Sequence, residues 1–186
     1  MLPLETSRLL LRNWKASDRE PFARINADLR VMEFLGEPLS CKQSDELLDR
    51  IEVHFQRHGF GLCAAELAET GEFIGFVGAA VPSFEAAFTP CVEIGWRLAS
   101  EHWAKGLATE GAREVVRYAF EQLQLAELVS FTTIANARSR RVMEKLGMTH
   151  DPAEDFDHPK LPASHLLRRH VLYRLKSTNC PHSYAR

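Results

Sequence analysis

The chain has 186 residues, of which 45% are hydrophobic, 26% charged and 9% aromatic, and this length and composition fit one compact domain. Its 23 Lys and Arg residues and 25 Asp and Glu residues give a formal charge of −2, so it lacks the positive field that attracts nucleic acids or anionic membranes. No apolar stretch approaches the roughly 20 residues of a membrane span, and the first residues do not resemble a signal peptide. We therefore predict a cytoplasmic protein with one domain, residues 4–176, and a flexible tail, residues 177–186.

The spacing of cysteines and histidines does not indicate a metal site. The four cysteines form no C-x-x-C pair, which predicts reduced thiols rather than a zinc or redox motif. They are Cys41, Cys63, Cys91 and Cys180. Four histidines near the C-terminus also lack the spacing of metal ligands, so we predict no metal. They are His150, His158, His165 and His170.

Two helices are predicted before most of the sheet. Residues 9–14 predict a strand, and Ser17–Glu20 has the pattern of a capping box at the start of a helix. Ser40–Gln43 is a second capping box, and its helix is expected to end at Gly59. The apolar positions have helical spacing: Phe22, Ile25 and Leu29 in the first helix, and Leu47, Leu48, Ile51 and Phe55 in the second.

After residue 60 the pattern alternates between strands and helices. Gly95 lies inside one predicted strand and indicates a bulge or the close approach of another group. Gly147 is expected to end a short helix. The pattern predicts an α/β protein with mixed strand directions around one core. Its elements are a hairpin of residues 60–67 and 73–80, a strand at 91–98, a long helix after 105, a strand at 128–134, a short helix at 136–146 and a strand at 170–175.

A turn of small residues joins a strand to an amphipathic helix within residues 93–110. Because Ala104, Gly106 and Ala108 carry little or no side chain, several amides could point into one concavity at the helix N-terminus, where the helix dipole favours an anion. The triphosphate motif G-x-x-x-x-G-K-[ST] and the dinucleotide motif G-x-G-x-x-G are both absent from this turn. We predict a pyrophosphate-binding turn, with helix packing alone as the alternative.

Residues 136–148, NARSRRVMEKLGM, follow one strand later. Together with the small-residue turn, this segment resembles the GNAT superfamily of acetyl-CoA-dependent N-acetyltransferases. The opening LETSRLLLR of residues 4–12 is similar to the branch of ribosomal-protein alanine N-acetyltransferases. The resemblance covers residues 4–150. It implies the GNAT fold, a mixed twisted sheet with flanking helices in which two central parallel strands, 92–98 and 128–134, splay apart to admit acetyl-CoA.

The resemblance also implies which residues bind acetyl-CoA, the acetyl donor. Asn136 would meet the pantetheine arm or position its thiol end, and Ser139 would approach the thioester sulfur. Trp103 replaces the usual Gln or Arg, and Ala104 replaces a common glycine, but both positions act largely through the backbone. The pyrophosphate would contact amides of Ala104, Lys105, Gly106, Leu107, Ala108 and Thr109, and the pantetheine strand would contain Ile94, Trp96 and Leu98. Apart from the resemblance, the Lys105 side chain and one of Arg138, Arg140 and Arg141 are candidates for a further phosphate contact, with exposure to solvent as the alternative for each.

Glu93 is the candidate general base for attack by an amine, and its alternative role is an ion pair with Arg97 on the same face of the strand. An α-amine titrates near pH 7.7 to 8.0, so it needs only mild base assistance. Ser139 is the candidate proton donor to the sulfur, or it only caps the short helix. Tyr173 and His170 are alternative groups for the cleft, although core packing explains them better.

The loop containing Phe84, Phe88 and Pro90 is a candidate acceptor pocket, with a lid over the core as its alternative. Residues 155–159 could line the mouth of that pocket. We expect an N-acetyltransferase acting on a protein N-terminal α-amine, with a small-molecule amine as the second acceptor. A non-catalytic acyl-CoA sensor and a ribosome-associated adaptor remain alternatives, and sheet edges of this fold could pair in a homodimer.

Overall fold

A single mixed sheet of nine strands runs through the residues that a computed structural model describes, 3–179. The strands are β1 (Leu4–Glu5), β2 (Leu9–Arg12), β3 (Leu62–Leu67), β4 (Phe73–Ala80), β5 (Glu93–Leu98), β6 (Glu127–Thr133), β7 (Thr149–His150), β8 (Phe156–Asp157) and β9 (Arg169–Lys176). Their order in the sheet is β1-β2-β3-β4-β5-β6-β9-β7, and β8 pairs with β9 at one end. This arrangement confirms the predicted fold class.

Five α-helices flank the sheet within the same residues. They are α1 (Arg19–Ala27), α2 (Leu29–Met32), α3 (Cys41–His58), α4 (Leu107–Glu121) and α5 (Ala137–Lys145). Helix α4 packs on one face of the sheet, against a core that includes Val77 and Ile94. Helices α1 and α3 pack on the other face, where Phe22 and Phe76 are buried. None of the helices described has the length and apolarity needed to cross a bilayer.

The two predicted capping boxes have different outcomes. Ser40 and Gln43 cap α3 reciprocally, and Gly59 ends that helix with a φ of +74°, as predicted. The capping box predicted at Ser17–Glu20 is wrong, because α1 begins after Asp18. The Asp18 carboxylate accepts from the Lys15 amide and pairs with Arg12. A buried ion pair therefore determines where α1 begins. Leu29 belongs to α2 rather than to the apolar face of α1 and is 74% exposed.

The central parallel strands diverge, as the family resemblance implied. Every other neighbouring pair of strands in the sheet is antiparallel, whereas β5 and β6 are parallel and share only the register pair Glu93 and Val129. The Val129 amide donates to the Val92 carbonyl at 2.9 Å. Beyond this point the ladder is lost, so the two strands open a wedge in the middle of the sheet.

Gly78 and Gly95 lie opposite each other in the central strands, but only one of these positions requires glycine for packing. A Cβ atom at Gly78 would lie 2.3 Å from the Gly61 carbonyl oxygen, so close packing of neighbouring backbones requires glycine there. The bulge expected at Gly95 is wrong, because Gly95 pairs with Gly78 in an unbroken register. The irregularity lies instead between β3 and β4, at Ala65 and Glu66.

Three of the four cysteines are described, and Cys41, Cys63 and Cys91 are free thiols. Cys180 lies outside the described residues. The predicted tail is described only over residues 177–179, which form a short 3-10 turn. The division into one domain and a tail therefore stays a prediction.

Candidate active site

An uncapped helix N-terminus forms one end of the site. Gly106 is the N-cap of α4 and has a φ of +81°, and no side chain caps the helix there. The first backbone bond into the helix joins the Glu110 amide to the Gly106 carbonyl at 3.0 Å. The amides of residues 107–109 therefore have no acceptor within the helix. These free donors and the helix dipole make this turn suitable for a phosphate group.

The start of the chain holds this turn in place. The Arg8 guanidinium donates to the Lys105 carbonyl at 3.0 Å and to the Glu110 carboxylate at 2.7 Å. Thr6 donates to the same carboxylate at 2.6 Å. Trp103 donates to the Leu98 carbonyl at 2.8 Å, which ties the turn to the end of β5. The opening LETSR thus has a supporting role at Glu110 that sequence reasoning did not assign.

A cleft of about 540 Å³ extends from this turn along the end of β5 to the start of α5, which follows β6. Its wall contains most of the predicted cofactor-binding residues: Trp96, Leu98, Ala104, Gly106, Leu107, Ala108, Thr109, Asn136 and Ser139. Three predicted site residues, Glu93, Ile94 and Lys105, are outside this wall. Ile94 is completely buried in the core, so only its backbone could reach a ligand. Lys105 is exposed on the outer side of the turn.

The charge of the cleft wall is one-sided. Among residues 3–179 the wall contains no Asp or Glu, and four cations line it beside the turn: Arg30, Arg138, Arg141 and Lys145. The Arg97 guanidinium reaches the same wall from the opposite face of β5. Arg30 pairs with Asp28, and Arg138 pairs with Glu33 at 2.6 Å and stacks on Trp103. Arg140 turns away and donates to Tyr173 and to the Ile134 carbonyl. A cleft of this charge suits a polyanion.

Asn136 organises the turn between β6 and α5. Its side-chain oxygen accepts from the Ser139 amide at 3.2 Å, and its NH₂ group donates to the Thr132 hydroxyl at 2.9 Å and the Ser139 hydroxyl at 3.1 Å. Both amide protons are therefore used within the protein. Because the Ser139 hydroxyl accepts from Asn136, its own proton is available to another acceptor in the cleft.

Glu93 is a partly buried carboxyl group without a partner. Within residues 3–179 it has no hydrogen bond or ion pair, and burial raises its pKa to about 8. The alternative pairing with Arg97 is wrong, because that guanidinium donates to Asn26 and lies over the Phe76 ring. An unpaired carboxyl with a raised pKa has the properties of a general base near neutral pH.

Tyr173 and His170 do not reach the cleft. Tyr173 is 3% exposed, and its hydroxyl lies 3.3 Å from both Arg140 and Glu144. His170 is also buried, and its Nδ1 lies 3.0 Å from the Arg168 carbonyl oxygen. Packing accounts for both residues, so neither is placed to donate a proton to a thioester in the cleft.

Aromatic side chains cover part of the sheet near the start of β5. Phe84 and Phe88, from the loop before β5, contact Phe131 of β6 with ring centroids 5.7 and 6.0 Å apart. Phe156 lies 4.7 Å from Phe88, so the segment 155–159 packs on the same loop. Pro90 is exposed. The loop therefore packs on the sheet, and its two expected roles, an acceptor pocket and a lid over the core, stay predictions.

Comparisons with known proteins identify the family. Residues 8–149 match the family model described as an acetyltransferase (GNAT) domain. A relative from Aspergillus fumigatus, named FsC-acetyl coenzyme A-N(2)-transacetylase, is 39% identical over 160 residues, which are 79% of this chain and 65% of that protein. A crystal structure of an acetyltransferase from Agrobacterium tumefaciens has a TM-score of 0.75 at 29% identity and covers 94% of both chains. The ribosomal-protein-S5-alanine acetyltransferase of Vibrio fischeri has a TM-score of 0.72 at 16% identity, covering 97% of this chain and 100% of that one.

The chain therefore belongs to the GNAT acetyltransferase family, which is the family recognised from the sequence. This membership confirms the expected enzyme class, an acetyl-CoA-dependent acyltransferase. The resemblance to ribosomal-protein acetyltransferases is matched at the level of the fold. The sequence alignment with the Aspergillus relative covers just under two thirds of that protein's length.

Proposed function

We propose that this protein transfers an acetyl group from acetyl-CoA to a primary amine, with the α-amine at a protein N-terminus as the preferred acceptor. The observation that carries this proposal is the run of free amides at residues 107–109, which opens into a positively charged cleft beside two diverging strands. Acetyl-CoA combines phosphates with a long uncharged arm, and the site offers amides and cations at one end and a narrow wedge at the other.

The residues around the wedge support distinct steps. Glu93 takes a proton from the acceptor ammonium group, directly or through water, so that the neutral amine attacks the thioester carbon. The C–N bond forms as the C–S bond breaks. Ser139 gives its hydroxyl proton to the departing thiolate and takes the second proton of the attacking nitrogen in its place, so the products are the amide, the free CoA thiol and protonated Glu93. The contact with Asn136 keeps the Ser139 hydroxyl in place. A strand amide near Trp96 is suited to stabilise the developing oxyanion.

A thiol-release assay tests the proposal. The purified protein is mixed with acetyl-CoA and a panel of N-terminal peptides, lysine derivatives and small amines, and free CoA thiol is measured over time. Because Cys41 is exposed, each reading needs a blank of protein without acetyl-CoA. Mass spectrometry of the acetylated product then identifies the acceptor class. We expect α-amines of peptides to react faster than lysine side chains.

The rival function is a non-catalytic acyl-CoA sensor. Such a protein would bind acetyl-CoA in calorimetry and release no thiol with any amine. In a sensor, Glu93→Gln would change neither the acetyl-CoA affinity nor the amount of thiol released. Under the proposed function, we expect this variant to bind acetyl-CoA normally and to lose turnover. Glu46→Gln is the matched control, because Glu46 is a surface carboxylate of α3, 52% exposed and far in sequence from the wedge strands.

A further inference from the structure

Within residues 3–179, Arg97 is a partly buried cation that lacks an anionic partner. One guanidinium NH₂ donates to the neutral Asn26 side chain, the group lies 5.5 Å from the centre of the Phe76 ring, and Nε has no partner within residues 3–179. Burial lowers the pKa of Arg97 to about 10, so it is still charged at neutral pH. Burying a charge without a counter-ion is costly, and Arg97 also lines the cleft.

The surrounding network fixes Arg97 in position. Asn26 is 0% exposed; its side-chain NH₂ group donates to the Ser44 hydroxyl at 2.8 Å, and its backbone carbonyl accepts from the Leu39 amide at 2.9 Å. Helices α1 and α3 and strand β4 therefore all contribute to holding the guanidinium. A cation held this firmly binds an oxygen anion with little further loss of side-chain entropy.

The face of β5 between Glu93 and Arg97 is open at Gly95. Alternate residues of β5 point to the same face, so Glu93, Gly95 and Arg97 lie in a row, with the two charged residues about 13 Å apart along the strand. Gly95 has no side chain, and a Cβ atom there would meet only the Glu93 carboxylate, at 3.9 Å. The space between the candidate base and the partly buried cation is therefore free of side-chain atoms from the strand itself.

The two faces of β5 serve different ligands. Ile94 and Leu98 point to the α4 side, where the free amides already supply the donors that the phosphates of acetyl-CoA need. Arg97 points to the opposite side, with Glu93. Building on the function proposed above, we infer that Arg97 binds a carboxylate of the acceptor, roughly three to four extended residues from the reacting amine.

This geometry defines a class of acceptor. An extended peptide advances about 3.3 to 3.6 Å per residue, so a tripeptide or tetrapeptide places its carboxylate at the required distance from its α-amine. In a longer acceptor, an acidic side chain at the third or fourth residue would take the same place. Polyamines are disfavoured, because their second cationic group would meet Arg97.

Steady-state kinetics with matched peptides test the inference. The acceptors are trialanine and tetraalanine, each with a free C-terminal carboxylate or as the C-terminal amide, and spermidine is the cationic probe. We expect the wild type to prefer each acid over its amide by at least about tenfold in kcat/KM, the usual size of a charge-assisted hydrogen bond. In Arg97→Gln this preference should fall to about twofold or less, with an unchanged Kd for acetyl-CoA. Equal use of acids and amides by the wild type would overturn the inference.

Calorimetry provides a readout that does not need turnover. N-acetyl-trialanine is titrated into the protein with bound CoA, and we expect at least about tenfold weaker binding by Arg97→Gln than by the wild type. Equal binding by both proteins, or no binding by the wild type, contradicts the inference. So does a variant that loses acetyl-CoA affinity and keeps the preference for acids. Failure of every amine in the thiol-release assay would instead contradict the proposed function, so the two failures are distinguishable.

Two further variants separate recognition from folding. Gly95→Val leaves the Arg97 network intact and fills this open face of β5, so we expect a higher KM for the peptide acids and a thermal unfolding temperature close to that of the wild type. Arg24→Gln removes an arginine that is 66% exposed on α1 and, within residues 3–179, pairs only with Glu20. It should leave the preference for acids unchanged. An unchanged KM in Gly95→Val would argue against an acceptor on this face.

Discussion

Replacing Glu93 by glutamine should make the protein more stable at high pH. Burial raises the pKa of Glu93 from 4.5 to about 8, so between these values the folded protein holds a proton that the unfolded chain has released. The free energy of unfolding of the wild type therefore falls as the pH rises through this range. Glutamine has nearly the same shape and does not ionise, so the variant lacks this loss.

The structure sets the size of the effect. One pH unit corresponds to about 1.4 kcal/mol for a single proton, so the wild type should lose about 4 kcal/mol between about pH 5 and pH 8 from this group alone. Urea unfolding of both proteins at several pH values measures the difference directly. Contributions from other titrating groups, including the buried histidines, are common to both proteins and cancel.

The same ionisation should govern catalysis. Because the base acts as the carboxylate, kcat/KM of the wild type should rise with pH towards a plateau above about pH 8, whereas Glu93→Gln should lose about a hundredfold or more in kcat/KM. Parallel stability curves for the two proteins would show that Glu93 ionises at its ordinary pKa and would refute the reasoning. Unchanged turnover in Glu93→Gln would separately remove it as the base.

Three other changes have defined outcomes. Gly106→Ala places a side chain at a φ of +81° and should raise the Kd of acetyl-CoA about tenfold in calorimetry. Gly71→Ala is the control: it has a similar φ of +72° but lies in the hairpin turn, so it should leave the Kd of acetyl-CoA unchanged. Ser139→Ala should lower kcat with an unchanged Kd for acetyl-CoA. The expectation that Ser139 caps the short helix is wrong, because Asn136 is the N-cap of α5; a purely structural role of the Ser139 hydroxyl, through its bond with Asn136, would lower the unfolding temperature and spare kcat. Burial lowers the pKa of His54, so the folded state resists protonation of this side chain. The free energy of unfolding in urea should therefore fall as the pH drops below 6.5, and it should fall less in His54→Gln.

Much of the fold follows from patterns within short segments. The Ser40–Gln43 capping box, the hairpin and the amphipathic α4 were predicted because each depends on residues close in sequence. The small-residue turn before α4 was also predicted, since a glycine N-cap without a side chain leaves helix amides free whatever surrounds it. Two motifs about 30 residues apart then sufficed to indicate the family.

The remaining features depend on contacts between distant segments. No local pattern indicates that Asp18 turns back to Arg12, or that Glu110 joins the start of the chain to the phosphate turn. The pairing of Glu93 with Arg97 was a reasonable expectation from their shared strand face, yet Asn26, 71 residues away, takes the guanidinium instead.

The sequence by itself determined the family, the order of the elements and the turn suited to phosphate, because neighbouring residues specify caps, turns and amphipathic periods. Tertiary structure alone decided which charged groups lie inside the protein without a counter-ion. Burial arises from the packing of α1, α3 and the loops on the sheet, and this packing raises the pKa of Glu93 and leaves Arg97 as a cation facing the cleft.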